Sequence, residues 1–384
     1  MKYIPYGRQC IDTSDIKEVV RVLKSDWITQ GPKVKELESA LAGYCGARYA
    51  VAVSSGTAAL HLACLAAGLK KGDEAITSPI TFIATPNSVL YAGATAVFAD
   101  IDYHTVNIDP EQISRKITKR TKAILPVHFS GLPCKMKEIS AIAKKNKLFI
   151  IEDASHALGA QYKVDGRWFK VGSCRHSDMT VFSFHPVKII TTGEGGAITT
   201  NNKQFYEKLK ALRNHGIYRD RATEKNGPWY YEMRNLGFNY RITDFQCALG
   251  ISQFKKLNKF IKRRREIANT YNECFRNMKE ITIPFVDANV LSSWHLYVLK
   301  INYRYLGLSR MKLMQTLMKY NIRTQVHYIP NYRQPFYKNK FSLNTKDFPQ
   351  SEFYYQRALS IPIYPGLTDN DVDYITRRFK ALLD

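Results

Sequence analysis

The sequence holds no apolar run near the roughly 18 residues that a membrane-crossing helix needs. Its opening Met1-Lys2-Tyr3-Ile4-Pro5 leads into no apolar leader, so a cytoplasmic chain with no membrane partner is expected. Cysteine is sparse and unpatterned. The seven copies, Cys10, Cys45, Cys64, Cys134, Cys174, Cys247 and Cys274, are odd in number, scattered, and never spaced like zinc ligands. That excludes a disulfide framework and predicts reduced thiols and no metal site. No internal repeat, low-complexity tract or linker rich in glycine and serine breaks the chain, so its domains are expected to pack closely. Acidic residues are short as well: 33 Asp and Glu face 57 Lys and Arg, a net charge of +24 that favours polyanions. No zinc finger, basic zipper or RNA-binding sheet motif accompanies the charge, so no nucleic-acid partner is expected. The densest basic run, Lys255 to Arg265, carries Phe254, Leu257 and Ile261 at helical spacing, and its charges read as the wet side of an amphipathic helix.

What is present is enough apolar material, 45% of 384 residues, for more than one core. Through the first two thirds, short β-branched apolar runs alternate with helix-length stretches. Residues 50–53, 74–77, 95–98, 123–127 and 149–151 read as buried parallel strands. Between them 57–69, 84–91, 110–117 and 136–146 read as crossover helices, which predicts a doubly wound α/β layer. From about Thr243 a long basic helix is expected to lead into a smaller α/β domain, with strands at 295–301 and 323–326 and helices at 309–320 and 368–383.

Ligands of open α/β sheets gather at the carboxyl ends of strands, and three such ends carry unusual residues. Ser54-Ser55-Gly56-Thr57 precedes the apolar helix opening Ala58-Ala59-Leu60, an arrangement suited to an anion and equally to a plain N-cap. Phe149-Ile150-Ile151 ends in Glu152-Asp153-Ala154-Ser155-His156. Asp153 is either a helix cap or a carboxylate that keeps a heterocyclic nitrogen protonated. Val181-Phe182-Ser183-Phe184-His185-Pro186-Val187 is followed by Lys188 and the glycine-rich Thr191-Thr192-Gly193-Glu194-Gly195-Gly196. A lysine amine shielded at such an edge can attack a carbonyl carbon. An anion seat, a strand-end carboxylate and a shielded lysine together describe a pyridoxal phosphate (PLP) site.

These segments, in this order and followed by Asn239-Tyr240-Arg241, resemble the DegT/DnrJ/EryC1/StrS family of nucleotide-sugar aminotransferases over essentially the whole chain. The resemblance implies an aspartate-aminotransferase-like fold of PLP type I. A large, mostly parallel domain would span 1–250, with segment 1–35 near the substrate site, and residues 251–384 would form the basic helix and a small C-terminal α/β domain. It implies a homodimer whose active sites are shared between subunits. Lys188 would be joined to the PLP aldehyde and would shuttle the proton, with the cofactor passing through its pyridoxamine form. Asp153 would hold the ring nitrogen, His156 would lie beside the ring and its 3-oxygen, and Phe82 would stack on it. Gly56, Thr57 and Ser183 would hold the phosphate, and Asn239 would reach it from the other subunit. A lysine at 188, where sugar 3-dehydratases of this fold carry histidine, favours transamination.

Tyr6, Trp27-Ile28-Thr29 and Gln325-Val326-His327-Tyr328 resemble the branch of the family that serves pseudaminic acid biosynthesis and become candidate substrate contacts. That branch implies transfer of the L-glutamate amino group to C4 of a UDP-4-keto-6-deoxy-N-acetylhexosamine. Alternatives are another UDP- or dTDP-4-keto-6-deoxy-sugar aminotransferase, of legionaminic acid, perosamine or viosamine type, and a non-catalytic PLP-binding regulator. His185 receives no role, and Arg241 is a candidate either for an anion contact or for bracing the dimer.

Overall fold

The computed structural model describes residues 3–219, 223 and 225–383. Its largest sheet has seven strands in the spatial order Tyr49–Val53, Gly196–Thr200, Met179–Ser183, Phe149–Asp153, Thr121–Leu125, Glu74–Thr77 and Thr95–Phe98. Neighbours pair in parallel except around Gly196–Thr200, which runs against both of its partners. Helices Gly56–Ala66, Ala84–Tyr91, Pro110–Lys116 and Met136–Asn146 make the crossovers.

Strand residues alternate between two cores, as the pleat requires. Ala50, Ala52, Ile150 and Phe182 face one core, with Leu37 and Leu41 from the helix Pro32–Cys45. Val51, Val53, Ile151 and Val181 face the other, under the helix Gly56–Ala66. That helix, rich in alanine and leucine, is buried on nearly every side. Covering both faces explains why the strands read as continuous apolar runs instead of alternating ones. The shared strand direction brings the ends at Val53, Thr77, Asp153 and Ser183 to one edge.

A second sheet of three antiparallel strands, Ile281–Thr282, Tyr297–Ile301 and Ala358–Ile361, has its own core. Tyr271 and Phe275, Leu313 and Leu317, and Ile375 and Phe379 come to it from the helices Leu257–Phe275, Arg310–Lys319 and Asp369–Leu383.

Three expectations change. The long basic helix is two helices, Asp244–Lys255 and Leu257–Phe275, and the expected boundary after residue 250 falls inside the first of them. Arg264 is not on a wet face. It is fully buried, and its Nη1 donates to the carbonyls of Trp294, His295 and Ile363. Its aliphatic stem belongs to the apolar stripe, and three converging carbonyls replace water around the charge. Residues 323–326 form no strand; only Gln325 bridges, to Ser360 of the strand Ala358–Ile361. The side chains that follow, His327 and Tyr328, turn instead into a cleft against the large sheet.

Candidate active site

The cleft, of about 700 Å³, opens over the shared strand edge. At its floor Asp153 closes the strand Phe149–Asp153 and is 4% exposed. Thr85 Oγ1 donates to its Oδ2 at 2.6 Å, and the Ser155 amide donates to Oδ1 at 3.0 Å. Thr85 in turn pairs with Thr81 at 2.9 Å. The neighbouring carboxylate takes no part, because strand alternation turns Glu152 to the opposite face. There it meets His128 Nε2 at 2.6 Å, Thr180 Oγ1 at 2.8 Å and the Ser177 hydroxyl. The Cys134 amide donates to His128 Nδ1 at 3.0 Å, so the imidazole hydrogen lies on Nε2 and points at Glu152.

Lys188 follows the strand Met179–Ser183 through a turn in which its amide donates to the His185 carbonyl at 2.9 Å. Burial lowers its ammonium pKa to about 8, against the opposing pull of the Asp153 charge. Such an amine is a far better nucleophile near neutral pH than a surface lysine.

The helix Gly56–Ala66 begins at the same edge. Ser55 caps it, its hydroxyl accepting the Ala58 amide at 3.0 Å. The first-turn amides of Gly56 and Thr57 have no intrahelical acceptor and carry the positive end of the helix dipole. A Cβ on residue 56 would lie 2.8 Å from Ser183 Cβ, so glycine is what lets the helix start sit against Ser183.

Rings close the wall opposite. Phe82, 56% exposed on the lip, stands 6.2 Å from the Tyr328 ring. His156 lies 4.4 Å from His295, and Tyr6 lies 5.3 Å from His327, whose Nδ1 is 2.8 Å from Ser360 Oγ. Burial first, and then the Lys188 charge, push His327 down to about 3. Burial also holds His156 and His295 well below the ordinary imidazole range. The three imidazoles are therefore neutral hydrogen-bonding groups at pH 7.

Of the residues singled out in the sequence, Gly56, Thr57, Phe82, Asp153, His156, Ser183 and Lys188 line this cleft. So do Tyr6, Gln325, Val326, His327 and Tyr328, and His185 as well. Trp27, Ile28, Thr29, Asn239 and Arg241 do not line it in the single chain. Trp27 and Ile28 are exposed, Thr29 bridges to Thr243, and Asn239 bridges to Asn214, which also accepts from Arg241 Nη1 at 2.6 Å. Sequence reasoning passed over Thr85, Ser155 and His295, all of which line the cleft. Thr85 had a visible signal, being one helical turn from Thr81; His295 had none beyond opening a strand.

Comparison with known proteins agrees with this geometry. The model of the DegT/DnrJ/EryC1/StrS aminotransferase family matches residues 9–380. The spore coat polysaccharide biosynthesis protein SpsC of Bacillus subtilis is 42% identical over 384 residues, 99% of this chain and 97% of that protein. Helicobacter pylori PseC, an aminotransferase of pseudaminic acid biosynthesis, superposes with a TM-score of 0.91 at 33% identity, over 100% of this chain and 99% of its own. A Streptococcus pneumoniae protein assigned as a sugar aminotransferase, in its PLP form, has a TM-score of 0.91 at 30% identity, over 99% and 98% of the two chains. It is also known in its pyridoxamine form. The fold is that of PLP type I, the cofactor is pyridoxal 5′-phosphate, and the chain belongs to the DegT/DnrJ/EryC1/StrS family of sugar aminotransferases.

Proposed function

We propose that this chain moves the amino group of L-glutamate to C4 of UDP-2-acetamido-2,6-dideoxy-β-L-arabino-hex-4-ulose, a step of pseudaminic acid biosynthesis, working as a cytoplasmic homodimer. The observation that carries the reading is the buried Lys188 amine sharing one cleft with Asp153 and the Gly56 helix start.

The cleft fits PLP on its own terms. Glycine at 56 lets the helix start pack against Ser183, and Gly56, Thr57 and Ser183 line the cleft together, where first-turn amides and a hydroxyl suit a phosphate. Lys188 would hold the cofactor aldehyde, Asp153 would meet the ring nitrogen, and Phe82 would cover the ring. Bound there, PLP supplies an electron sink for the carbon that loses its proton. Lys188 Nζ takes the proton from the α-carbon of glutamate and, in the second half of the cycle, gives one to C4 of the sugar. Asp153, steadied by Thr85 and Ser155, keeps the ring nitrogen protonated through both halves.

Charge supports the dimer. Phosphate, glutamate and a nucleotide diphosphate are all anions, yet among the described residues Lys188 is the one lysine on the cleft wall and no arginine joins it. Asn239 and Arg241 lie outside their own chain's cleft, as residues that complete a partner's site would. Exposed Trp229, Tyr231, Met233 and Leu236 on the same segment give a second copy apolar surface to cover.

The likeness to PseC supports the pseudaminic acid reading; Tyr6 and Gln325 to Tyr328, on the cleft wall, would contact the sugar nucleotide in this chain, and Trp27 to Thr29 would reach a partner's. A second reading rests on the higher identity to SpsC, which favours a different 4-keto-6-deoxy sugar nucleotide for a surface polysaccharide. The purified protein, given glutamate and a panel of UDP- and dTDP-4-keto-6-deoxy sugars, separates them. Amino-sugar formation on the UDP substrate, read by mass spectrometry, supports the first reading. Turnover confined to dTDP sugars supports the second, and no amino sugar from any of them removes both.

A further inference from the structure

We propose that the Tyr328 hydroxyl is a fixed hydrogen-bond donor to an acceptor-only oxygen of the ligand in this cleft, aimed by the Ser130 amide through the His156 ring. The inference rests on the functional reading above and assigns a role that the reading leaves open.

The direction follows from donor and acceptor chemistry. The Ser130 amide stands 3.3 Å from His156 Nδ1, and a backbone N–H can only donate, so Nδ1 carries the lone pair. His156 is buried among Lys188, His295, His327 and Tyr328, with no carboxylate against its ring among the described residues, and burial holds its pKa well below the ordinary value. The imidazole is neutral and its hydrogen sits on Nε2. Nε2 lies 3.1 Å from Tyr328 Oη, so it donates and the phenol oxygen accepts. Burial raises the Tyr328 pKa, and the phenol keeps its own hydrogen. His156 is the one hydrogen-bond partner of that hydroxyl among the described residues, and Tyr328 lines the cleft.

The start of the chain is built firmly. Ser130 has a left-handed φ of 61°, its Oγ donates to the Leu296 carbonyl at 2.6 Å, and its own carbonyl accepts the Leu296 amide at 3.3 Å. Next to it Gly131 takes a φ of 94°, and a Cβ there would stand 2.4 Å from Ser293 Oγ. The amide that orients His156 is therefore pinned from both sides. With both nitrogens engaged, His156 reaches the ligand through Tyr328, which modifies the expectation that His156 itself meets the 3-oxygen.

Of the acceptor-only oxygens that enter such a site, two belong to the reacting groups themselves: the phenolate oxygen of PLP and the keto oxygen of the sugar. Holoenzyme of the wild type, Y328F, H156L, H156Q and H156L/Y328F distinguishes them. The first reading is the pH midpoint of the visible cofactor band without substrates. The second is KM and kcat for the keto sugar, with the glutamate half-reaction followed separately. If the phenolate is the acceptor, Y328F raises the midpoint by about one pH unit, because the lost donor had favoured the deprotonated chromophore. If the keto oxygen is the acceptor, the midpoint stays, and kcat/KM for the sugar falls about tenfold with the glutamate half-reaction intact. In both cases H156L reproduces Y328F, the double variant is no worse than Y328F, and H156Q restores the wild-type value. Glutamine can accept from Ser130 and donate to Tyr328 as the imidazole does. Y328F that changes neither reading overturns the proposal, as does an H156L effect that adds in full to that of Y328F. A yellow wild type whose band glutamate bleaches keeps the functional reading intact in that event, so the two failures are told apart.

Discussion

Thr85 Oγ1 donates to Asp153 Oδ2 at 2.6 Å while the Ser155 amide donates to Oδ1 at 3.0 Å, so both oxygens of the buried carboxylate are steadied and each keeps a lone pair that a ring nitrogen can meet. Thr85 pairs in turn with Thr81, so the carboxylate is held by a side-chain chain that runs from the first turn of the helix Ala84–Tyr91 to the segment just before it. T85V removes the donor while keeping the shape. The glutamate half-reaction, timed by loss of the visible band, is expected to slow about tenfold with cofactor affinity little changed. D153N is expected to slow it by at least about a hundredfold, because the fixed charge facing the ring is lost. Equal rates for wild type and D153N would remove Asp153 from the chemistry.

Lys188 carries a pH signature. With its amine titrating near 8 in place of the ordinary value of about 10.4, the reactive neutral fraction grows as pH rises toward 8 and saturates above it. Colour development on mixing PLP with the cofactor-free protein should therefore accelerate up to about pH 8 and then level off. A rate still climbing steeply at pH 10 would describe a solvated lysine.

Gly56 tests the anion seat. In G56A the new Cβ would stand 2.8 Å from Ser183 Cβ, and neither atom can swing away without moving backbone. Strain of about 1–3 kcal/mol is expected in urea unfolding, together with weaker retention of PLP on dialysis. Unchanged retention would place the phosphate elsewhere.

Arg264 tests the scaffold beneath His295. Its Nη1 serves three carbonyls, and burial lowers its pKa to about 9, with no acidic partner among the described residues. R264M fills similar space but leaves those carbonyls without their donor. A loss of about 2–4 kcal/mol, as a lower urea midpoint with unchanged slope, is the expected outcome. A neutral substitution would show that water replaces the guanidinium at no cost.

The parallel strands were legible because a sheet covered on both faces writes itself as apolar, β-branched runs, as at Ile150-Ile151 and Ala75-Ile76. The reversed strand Gly196–Thr200 was hidden because it starts on the last residue of the glycine-rich segment, where the residue types signal a turn as strongly as a strand. Lys188, Asp153 and Gly56 could be found because their chemistry follows strand ends in sequence. Ser130 and His295 could not: tertiary packing alone joins a left-handed turn after the strand Thr121–Leu125 to the start of the strand Tyr297–Ile301. Arg264 misled for a related reason, since helical spacing places a side chain on a face but does not say which faces meet protein. Trp27, Ile28, Thr29 and Asn239 stand outside the cleft of the single chain, since adjacency to a motif in sequence does not say which wall a residue reaches.

Reductive trapping measures the central claim most directly. Borohydride added to the purified yellow protein, followed by peptide mass mapping, is predicted to leave the pyridoxyl group on Lys188, and K188A is predicted to carry none. Trapping at another lysine, or a colourless protein that traps no cofactor, would contradict the account.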